Sequence, residues 1–304
     1  MKKNNYDLII IGLGPAGLTA SIYASRYKLR HVVIGKNLGG EMTLASSVEN
    51  FPGFSAISGL ELGQKMTKQA KTLGAEIVYG EIVGAEKIEG GGGSEGFRVR
   101  LGGGEERRYE GKTLIIASGT ERRKLGVPGE MEFLGRGVSY CATCDATFFR
   151  GKTVAVIGGA NAAVQAAVHL SEFADRVYII YRGEALRAEP MWADRATGNP
   201  KVEVIYKTNI VRVVGKEGSK LKAQSSKIDT TKDKQTSNKT VQAVELDNPY
   251  HGNNLLSVDG VFIEAGGVPT TAIAKEMGVE LTEAGFIKVN DDMSTSASGV
   301  FAAG

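Results

Sequence analysis

Two cysteines are the residues of this chain whose type and spacing point most directly to chemistry. They are Cys141 and Cys144, they form a C-x-x-C pair, and the 304-residue sequence contains no other cysteine. A structural zinc site would need four ligands, and the three histidines, at positions 31, 169 and 251, show no ligand spacing near the pair, so no metal is predicted. A long-range structural disulfide is excluded because the two cysteines are close in sequence. The pair is predicted to be a redox dithiol in a reducing compartment, with inert thiols as the alternative.

A glycine-rich turn near the N-terminus is typical of dinucleotide binding. Residues 7–11 form a short apolar run that predicts a buried parallel strand. The run leads into a full G-x-G-x-x-G, then a helix to about residue 27 and a second strand at 31–34. Such glycines allow a tight turn and close backbone approach, so that a pyrophosphate can lie at the helix N-terminus. The residues of this turn are Gly12, Leu13, Gly14, Pro15, Ala16 and Gly17.

The same pattern recurs in the middle of the chain, directly after the cysteines. Residues 153–157 are apolar, a helix is predicted through about residue 173, and residues 177–181 make the next strand. Ala160 replaces the central glycine, so the match is weaker, and a plain βαβ unit without ligand is the alternative. Arg182 and Arg187 follow the second strand, where the 2′-phosphate of NADP is held in such folds, although Glu184 lies nearby and the arginines could instead form a solvated surface. The turn between strand and helix consists of Gly158, Gly159, Ala160, Asn161, Ala162 and Ala163.

Two nucleotide-binding turns and one dithiol together restrict the function. A nicotinamide delivers electrons in pairs as hydride, and a flavin can accept the hydride and reduce a disulfide. The net charge of +3 is too small to indicate nucleic acid or an anionic membrane surface. An uncharged stretch at 8–25 follows two lysines, but its glycines and proline favour strand, turn and helix over a signal peptide or span, so a cytoplasmic protein is expected.

Two polar or glycine-rich stretches are predicted to be surface hairpins. Residues 216–239 hold seven lysines against three acidic residues without apolar periodicity, which indicates a solvated hairpin tip, with a docking patch for an acidic partner as the alternative. Glycines at 90–93 and 102–104 flank an alternating run at 97–101. Because no helix follows them, they are predicted to be hairpin turns and not a third nucleotide site.

The sequence resembles the low-molecular-weight thioredoxin reductases along essentially the whole chain. Cys-Ala-Thr-Cys-Asp, placed just before the second turn, is the most specific of the matching motifs. The motifs occur in order: the first turn, Gly39-Gly40, Glu49-Asn50-Phe51-Pro52-Gly53, Ile115-Ile116-Ala117-Ser118-Gly119, Cys141-Ala142-Thr143-Cys144-Asp145, the second turn, residues 182–188, and Gly299-Val300-Phe301-Ala302-Ala303-Gly304.

The resemblance implies an α/β protein with two Rossmann-like, three-layer nucleotide-binding domains, the second inserted into the first. An FAD domain would comprise 1–117 and 246–304, and an NAD(P)H domain would comprise 118–245 and carry the C-x-x-C. Cys141 would attack the disulfide of thioredoxin or a thioredoxin-like protein, Cys144 would face the flavin, and Asp145 would move the proton unless it merely caps the following helix. A homodimer is implied as well. The implied cofactor-binding residues are Gly12, Gly14, Pro15, Ala16, Gly17, Gly35, Lys36, Gly39, Gly40, Glu41, Asn50, Ala117, Ser118, Gly119 and Gly304 for FAD, and Gly158, Gly159, Ala160, Asn161, Ala162, Ala163, Arg182 and Arg187 for NADPH.

Several departures from the family pattern keep other interpretations open. Gly35 and Lys36 stand where an acidic residue usually holds the FAD ribose, and Glu41 replaces a glutamine. The usual His-Arg-Arg is Tyr181-Arg182-Gly183, so NADH or another reductant is an alternative to NADPH. In the family an aspartate and a helix over the flavin follow position 304, so weak or no FAD binding is expected of residues 1–304 alone. A peroxiredoxin-linked reductase and a non-enzymatic redox sensor are the remaining alternatives.

Overall fold

The structure is a computed structural model that describes residues 5–89, 95–103, 107–217 and 239–304. Most of the lysine-rich segment and the glycine run at 90–93 therefore lie outside the described residues. The strands are β1 (Asn5–Ile11), β2 (His31–Gly35), β3 (Glu76–Tyr79), β4 (Ile82–Glu89), β5 (Glu95–Leu101), β6 (Arg107–Ile116), β7 (Thr120–Arg122), β8 (Val138–Ser139), β9 (Thr153–Ile157), β10 (Arg176–Ile180), β11 (Val202–Ile205), β12 (Ile210–Glu217), β13 (Lys239–Tyr250), β14 (Asn253–Ser257), β15 (Gly260–Ile263), β16 (Gly267–Pro269) and β17 (Val300–Ala302). The helices are α1 (Pro15–Arg26), α2 (Gly59–Thr72), α3 (Ala142–Asp145), α4 (Asn161–Ser171), α5 (Pro190–Thr197) and α6 (Ala272–Glu276), with 3₁₀ helices at Gly40–Leu44 and Ala146–Phe149.

The first compact unit, Met1–Glu121 with Gly267–Gly304, is built on a sheet of strand order β3-β2-β1-β6-β5-β4. Strands β3, β2, β1 and β6 run parallel, and β17 pairs in parallel with the end of β6. Strands β4 and β5 pair antiparallel, which confirms the hairpin predicted around residues 97–101. The strand β1, the helix α1 and the strand β2 confirm the predicted βαβ unit to within about two residues.

Alternation along β1 explains why this sheet is covered on both faces. Leu8 and Ile10 belong to a core that includes Leu18 of α1 and Leu62 of α2. Ile9 and Ile11 point to the other face, into a core with residues of β5, β6 and the segment around α6. Because successive side chains of a strand point to opposite faces, one continuous apolar run serves both cores.

The second compact unit, Arg122–Gly266, has three layers. Its central sheet is wholly parallel, in the order β11-β10-β9-β15-β8. Val154 and Val156 of β9 pack with α4 and α5, whereas Ala155 and Ile157 pack with the antiparallel sheet β12-β13-β14. The predicted fold class, two Rossmann-like units with the second inserted into the first, is thereby confirmed.

The chain returns to the first unit later than the sequence predicts. The expected return was at 246, but the second unit extends to Gly266. The reason is that β13 continues to Tyr250 and pairs with β14, and β15 then enters the parallel sheet beside β9. No single turn signal marks this boundary, because it depends on pairing between distant strands. Among the described residues no helix is both long and apolar enough to cross a membrane.

Candidate active site

The two cysteines are joined by a disulfide at the start of α3 in the second unit. Their Cα atoms lie 5.3 Å apart, with Cys141 half-buried and Cys144 exposed. The backbone N–H of Cys144 donates a hydrogen bond to Cys141 Sγ over 3.2 Å. A disulfide with an exposed sulfur is open to exchange with an external thiol. The predicted pair therefore has the local geometry of a redox centre.

Asp145 lies at the end of α3, directly before the 3₁₀ helix Ala146–Phe149. Its backbone N–H donates to the carbonyl oxygen of Cys141 over 3.2 Å. Within the described part of the chain, its carboxylate makes no capping hydrogen bond to the 3₁₀ helix. This half-buried carboxylate is thus not occupied by the capping role that was the alternative to proton transfer.

A buried carboxylate that is hydrogen bonded to the residue before Cys141 was missed by the sequence analysis. Glu130 is only 1% exposed and accepts hydrogen bonds from the backbone N–H groups of Leu125 (2.9 Å) and Gly126 (2.6 Å) and from the hydroxyl of Tyr140. Burial and the Glu130 carboxylate raise the pKa of Tyr140 above its ordinary value, so the hydroxyl remains a donor at neutral pH. Since Tyr140 precedes Cys141, this network supports the strand end from which the dithiol follows. No local sequence pattern predicts the contact between Glu130 and Tyr140, which are ten positions apart.

The first glycine turn has the close packing that dinucleotide binding requires. Gly12 has φ +117°, and a Cβ there would overlap the carbonyl oxygen of Ala117. A Cβ on Gly17 would overlap the carbonyl oxygen of Gly12, so α1 lies directly on the turn. At Gly14, by contrast, no atom of the described residues other than its chain neighbours lies within 4 Å of the position of a Cβ. The turn therefore presents open backbone at the start of α1, where Pro15 is the first helical residue and the next N–H groups have no partner within the helix.

Several other predicted cofactor residues lie around this turn. The N–H of Gly39 donates to the carbonyl oxygen of Leu13 over 2.8 Å. Gly40 packs against Gly14, because a Cβ on Gly40 would lie 3.1 Å from the Gly14 Cα. Gly304 lies beside Ala16 at the start of α1. Gly35 ends β2 and is packed closely against Leu13. These contacts place Gly35, Gly39, Gly40, Ala16 and Gly304 at one end of the parallel sheet.

A cavity of about 490 Å³ opens beside the end of β2. Lys36, Gly40 and Glu41 line it together with Tyr79, the last residue of β3. Lys36 forms an exposed ion pair with Glu81 (Nζ to Oε2, 3.5 Å), so its charge is shared with a surface carboxylate. The cavity brings together three of the predicted cofactor residues.

The remaining predicted residues of the first unit are Ser118, Gly119, Ala117 and Asn50. The hydroxyl of Ser118 donates to the carbonyl oxygen of Thr270 over 2.6 Å, and the carbonyl oxygen of Gly119 accepts from the Thr270 N–H over 3.0 Å. Ala117 is buried against Gly12. Asn50 is exposed in the bends that follow Val48, and no described contact links it to the turn.

The second turn repeats the backbone of the first despite its different residues. Gly158 has φ +144°, and Ala160 precedes α4 with φ −98° and ψ −178°, close to the −76° and −179° of Gly14 before α1. Because this is extended backbone that any residue adopts, the methyl group of Ala160 introduces no strain, and the residue is exposed. Ala163 is buried and packs against the turn, whereas Ala162 is exposed. The second turn thus has the same backbone conformation as the first before its helix.

Residues 181–189 form a loop tied to the second turn. The N–H of Arg187 donates to the carbonyl oxygen of Gly159 over 2.7 Å, and the Asn161 amide exchanges two hydrogen bonds with Glu189. Arg182 and Arg187 are exposed. The ring of Tyr181 packs over Gly159, where any Cβ would overlap it. The structure therefore holds the two predicted arginines in a loop that is anchored next to the second turn.

Comparisons with known proteins agree with this geometry. The family described as pyridine nucleotide-disulphide oxidoreductase matches residues 6–304. A thioredoxin reductase of Bacillus subtilis is 40% identical over 300 residues, covering 98% of this chain and 86% of the relative. The crystal structure of Lactococcus lactis thioredoxin reductase matches with a TM-score of 0.84 and 33% identity, covering 98% of this chain and 89% of that one. The crystal structure of T. acidophilum thioredoxin reductase matches with a TM-score of 0.84 and 32% identity, covering 99% of this chain and 90% of that one. The chain therefore belongs to the pyridine nucleotide-disulphide oxidoreductases and, within that family, to the thioredoxin reductases.

Proposed function

We propose that this protein is an FAD-dependent thioredoxin-disulfide reductase that takes its electrons from NADPH. The observation that carries the proposal is the Cys141–Cys144 disulfide, located just before a dinucleotide turn in a chain that has a second such turn. Bound FAD supplies the chemistry that connects a two-electron hydride donor with a disulfide. Relatives named thioredoxin reductase support the identity of the protein substrate.

The first turn fits FAD. Open backbone at Gly14 and the N–H groups at the start of α1 would hold the pyrophosphate, with Pro15, Ala16 and Gly304 around it. The cavity lined by Lys36, Gly40 and Glu41 suits the adenosine side, since ribose lies at the end of the second strand in this fold. Asn50 and the segment 117–119 complete the proposed set.

The second turn fits NADPH. Gly158 and Gly159 form the tight turn, and the exposed Ala160 together with the start of α4 would receive the pyrophosphate. Arg182 and Arg187 would bind the 2′-phosphate because both are exposed and lie in the loop after β10. NADH is the second candidate donor, and the observation that favours it is Gly183, which contributes no side chain to this loop.

The dithiol carries out the exchange with the protein substrate. In the reduced enzyme, the Cys141 thiolate attacks the substrate disulfide and forms a mixed disulfide while the leaving thiolate takes up a proton. Cys144 then attacks Cys141 Sγ, which restores the Cys141–Cys144 disulfide and releases a dithiol substrate, so two electrons and two protons have been transferred. The N–H of Cys144 can hydrogen bond to a Cys141 thiolate, and Asp145, the residue that follows Cys144, would move the proton.

The test is an anaerobic titration of the full-length protein with NADPH or NADH, followed by visible flavin absorption and then by thioredoxin-disulfide reduction. We expect stoichiometric bleaching by NADPH. Cys144→Ser should retain this bleaching and lose thioredoxin reduction, whereas Thr143→Ser, one position away, should retain both. Bleaching by neither nucleotide, with dithionite still effective, would refute the NADPH assignment. Slow turnover of the intact protein with every disulfide substrate would favour a redox sensor.

The proposal extends to assembly and location. A homodimer and a cytoplasmic location are proposed from membership of the family alone. Light scattering on the purified full-length protein measures the first, and fractionation of cells measures the second.

A further inference from the structure

Lys207 has an unusual backbone conformation next to the loop that follows β10. It lies between β11 and β12 with φ +53°, in the left-handed region that non-glycine residues seldom adopt. Its N–H donates to the carbonyl oxygen of Gly183 over 3.0 Å, and the N–H of Thr208 donates to the carbonyl oxygen of Tyr181 over 3.2 Å. Two backbone hydrogen bonds thus fasten this lysine to the segment that carries Arg182.

A side chain at position 183 of the same segment would displace the ring of Tyr181. A Cβ on Gly183 would lie 2.5–2.9 Å from three atoms of the Tyr181 side chain, which is only 8% exposed and also covers Gly159. A second arginine next to Arg182 would therefore require this buried ring to move. With glycine at position 183, a further cation beside Arg182 can come from a neighbouring segment.

Lys207 is placed to supply that cation. Its Nζ lies 2.8 Å from Oε1 of Glu184, and the two side chains are 63% and 81% exposed. Surface ion pairs of this kind contribute little to stability, because solvent screens them and both side chains lose entropy. A phosphate dianion offers two charges and three acceptor oxygens, so it competes effectively with one exposed carboxylate.

We propose that Lys207 is a ligand for the 2′-phosphate of an adenine nucleotide and acts with Arg182 and Arg187. Glu184 is its counter-ion when the site is empty of nucleotide. The inference rests on the proposed NADPH function and names a residue through which the chain distinguishes 2′-phosphorylated from unphosphorylated nucleotide. The role of Lys207 also explains how a chain with Gly183 can retain a preference for the 2′-phosphorylated nucleotide.

The experiment is calorimetric titration of the full-length protein with adenosine 2′,5′-bisphosphate and with 5′-AMP. Lys207→Gln should raise the Kd for the bisphosphate about tenfold and leave the Kd for 5′-AMP unchanged, since one charge-assisted contact to the phosphate is lost. Lys28→Gln is the matched control, because Lys28 is also exposed and left-handed (φ +59°) but lies in the first unit. Fluorescence of Trp192, buried in the second unit, verifies folding.

A second variant makes the test reciprocal. Glu184→Gln should lower the Kd for the bisphosphate about threefold when Lys207 is present and leave it unchanged when Lys207 is glutamine, since the carboxylate acts only through that lysine. Equal affinities of wild type and Lys207→Gln for the bisphosphate would overturn the role of Lys207 while leaving the NADPH proposal intact. If the wild type itself shows no preference for the bisphosphate over 5′-AMP, both the NADPH assignment and this inference fail.

Discussion

Replacing the buried carboxylate of Glu130 should destabilise the second unit measurably. Three donors converge on it: the Leu125 N–H and the Tyr140 hydroxyl on Oε1, and the Gly126 N–H on Oε2. Because Glu130 is 1% exposed, water cannot replace a lost acceptor without rearrangement of the surrounding chain.

Glu130→Gln preserves the shape and removes one acceptor. Its amide oxygen can still serve Leu125 and Tyr140, but its NH₂ group then faces the Gly126 N–H, 2.6 Å from the former oxygen. Leaving a buried donor without its charged acceptor costs about 2–3 kcal/mol. Tyr140→Phe removes one donor and leaves the other two in place, so about 1 kcal/mol is expected. The two effects should not add, because both substitutions change one network.

The assay is equilibrium urea unfolding followed by fluorescence of Trp192, the only tryptophan of the chain. It is 6% exposed and belongs to the core of the second unit, so its emission reports on that unit even if the two units unfold separately. The control is Glu132→Gln, an exposed carboxylate two positions away, for which a change below about 0.5 kcal/mol is expected. A loss below about 0.5 kcal/mol for Glu130→Gln, at unchanged m-value, would refute the assigned network.

Three further predictions concern the first unit. Gly17→Ala should lower the free energy of unfolding by about 2–3 kcal/mol in urea titrations, because its methyl would overlap the carbonyl oxygen of Gly12; an unchanged midpoint would contradict this packing. Gly14→Ala should leave that free energy within about 0.5 kcal/mol but weaken FAD binding about tenfold by fluorescence titration, because its methyl would enter the open space at the turn; unweakened binding would place the cofactor elsewhere. The hydrogen bond from Lys112 lowers the pKa of Asp7. The stabilisation that the Asp7 carboxylate contributes is therefore present above about pH 4 and is lost as the pH falls through the folded-state pKa. The free energy of unfolding should differ less between pH 3 and pH 6 in Asp7→Asn than in the wild type, and an equal difference would contradict this role.

The βαβ units could be predicted because each depends on local signals. At Asp7 and again at Thr153 a short apolar run meets a glycine pair or triplet, and both strands were located to within two residues. The C-x-x-C pair is equally local, since the disulfide closes a ring that contains only residues 141–144. These features require no knowledge of distant contacts, so periodicity, turn residues and spacing suffice.

The features that could not be predicted all depend on contacts between distant segments. The return to the first unit at Gly267 follows from the pairing of β15 with β9, about a hundred residues earlier. The buried carboxylate of Glu130 accepts a hydrogen bond from Tyr140, ten positions away, and the space beside Gly183 is occupied by the ring of Tyr181. A sequence pattern shows which residues are present, but it does not show which neighbour occupies the space beside them.

The two turns together show why the number of glycines is a poor measure of a nucleotide site. Gly14 and Ala160 occupy equivalent positions with nearly the same extended backbone, whereas Gly12 and Gly158 have the positive φ that favours glycine. Since the phosphate contacts of such a turn come from backbone N–H groups, the replacement by alanine alters the space available and not the donors. Under the proposed function, selectivity for one nucleotide is then determined beyond the turn, by the loop after Tyr181 and by the segment of Lys207, which is hydrogen bonded to that loop.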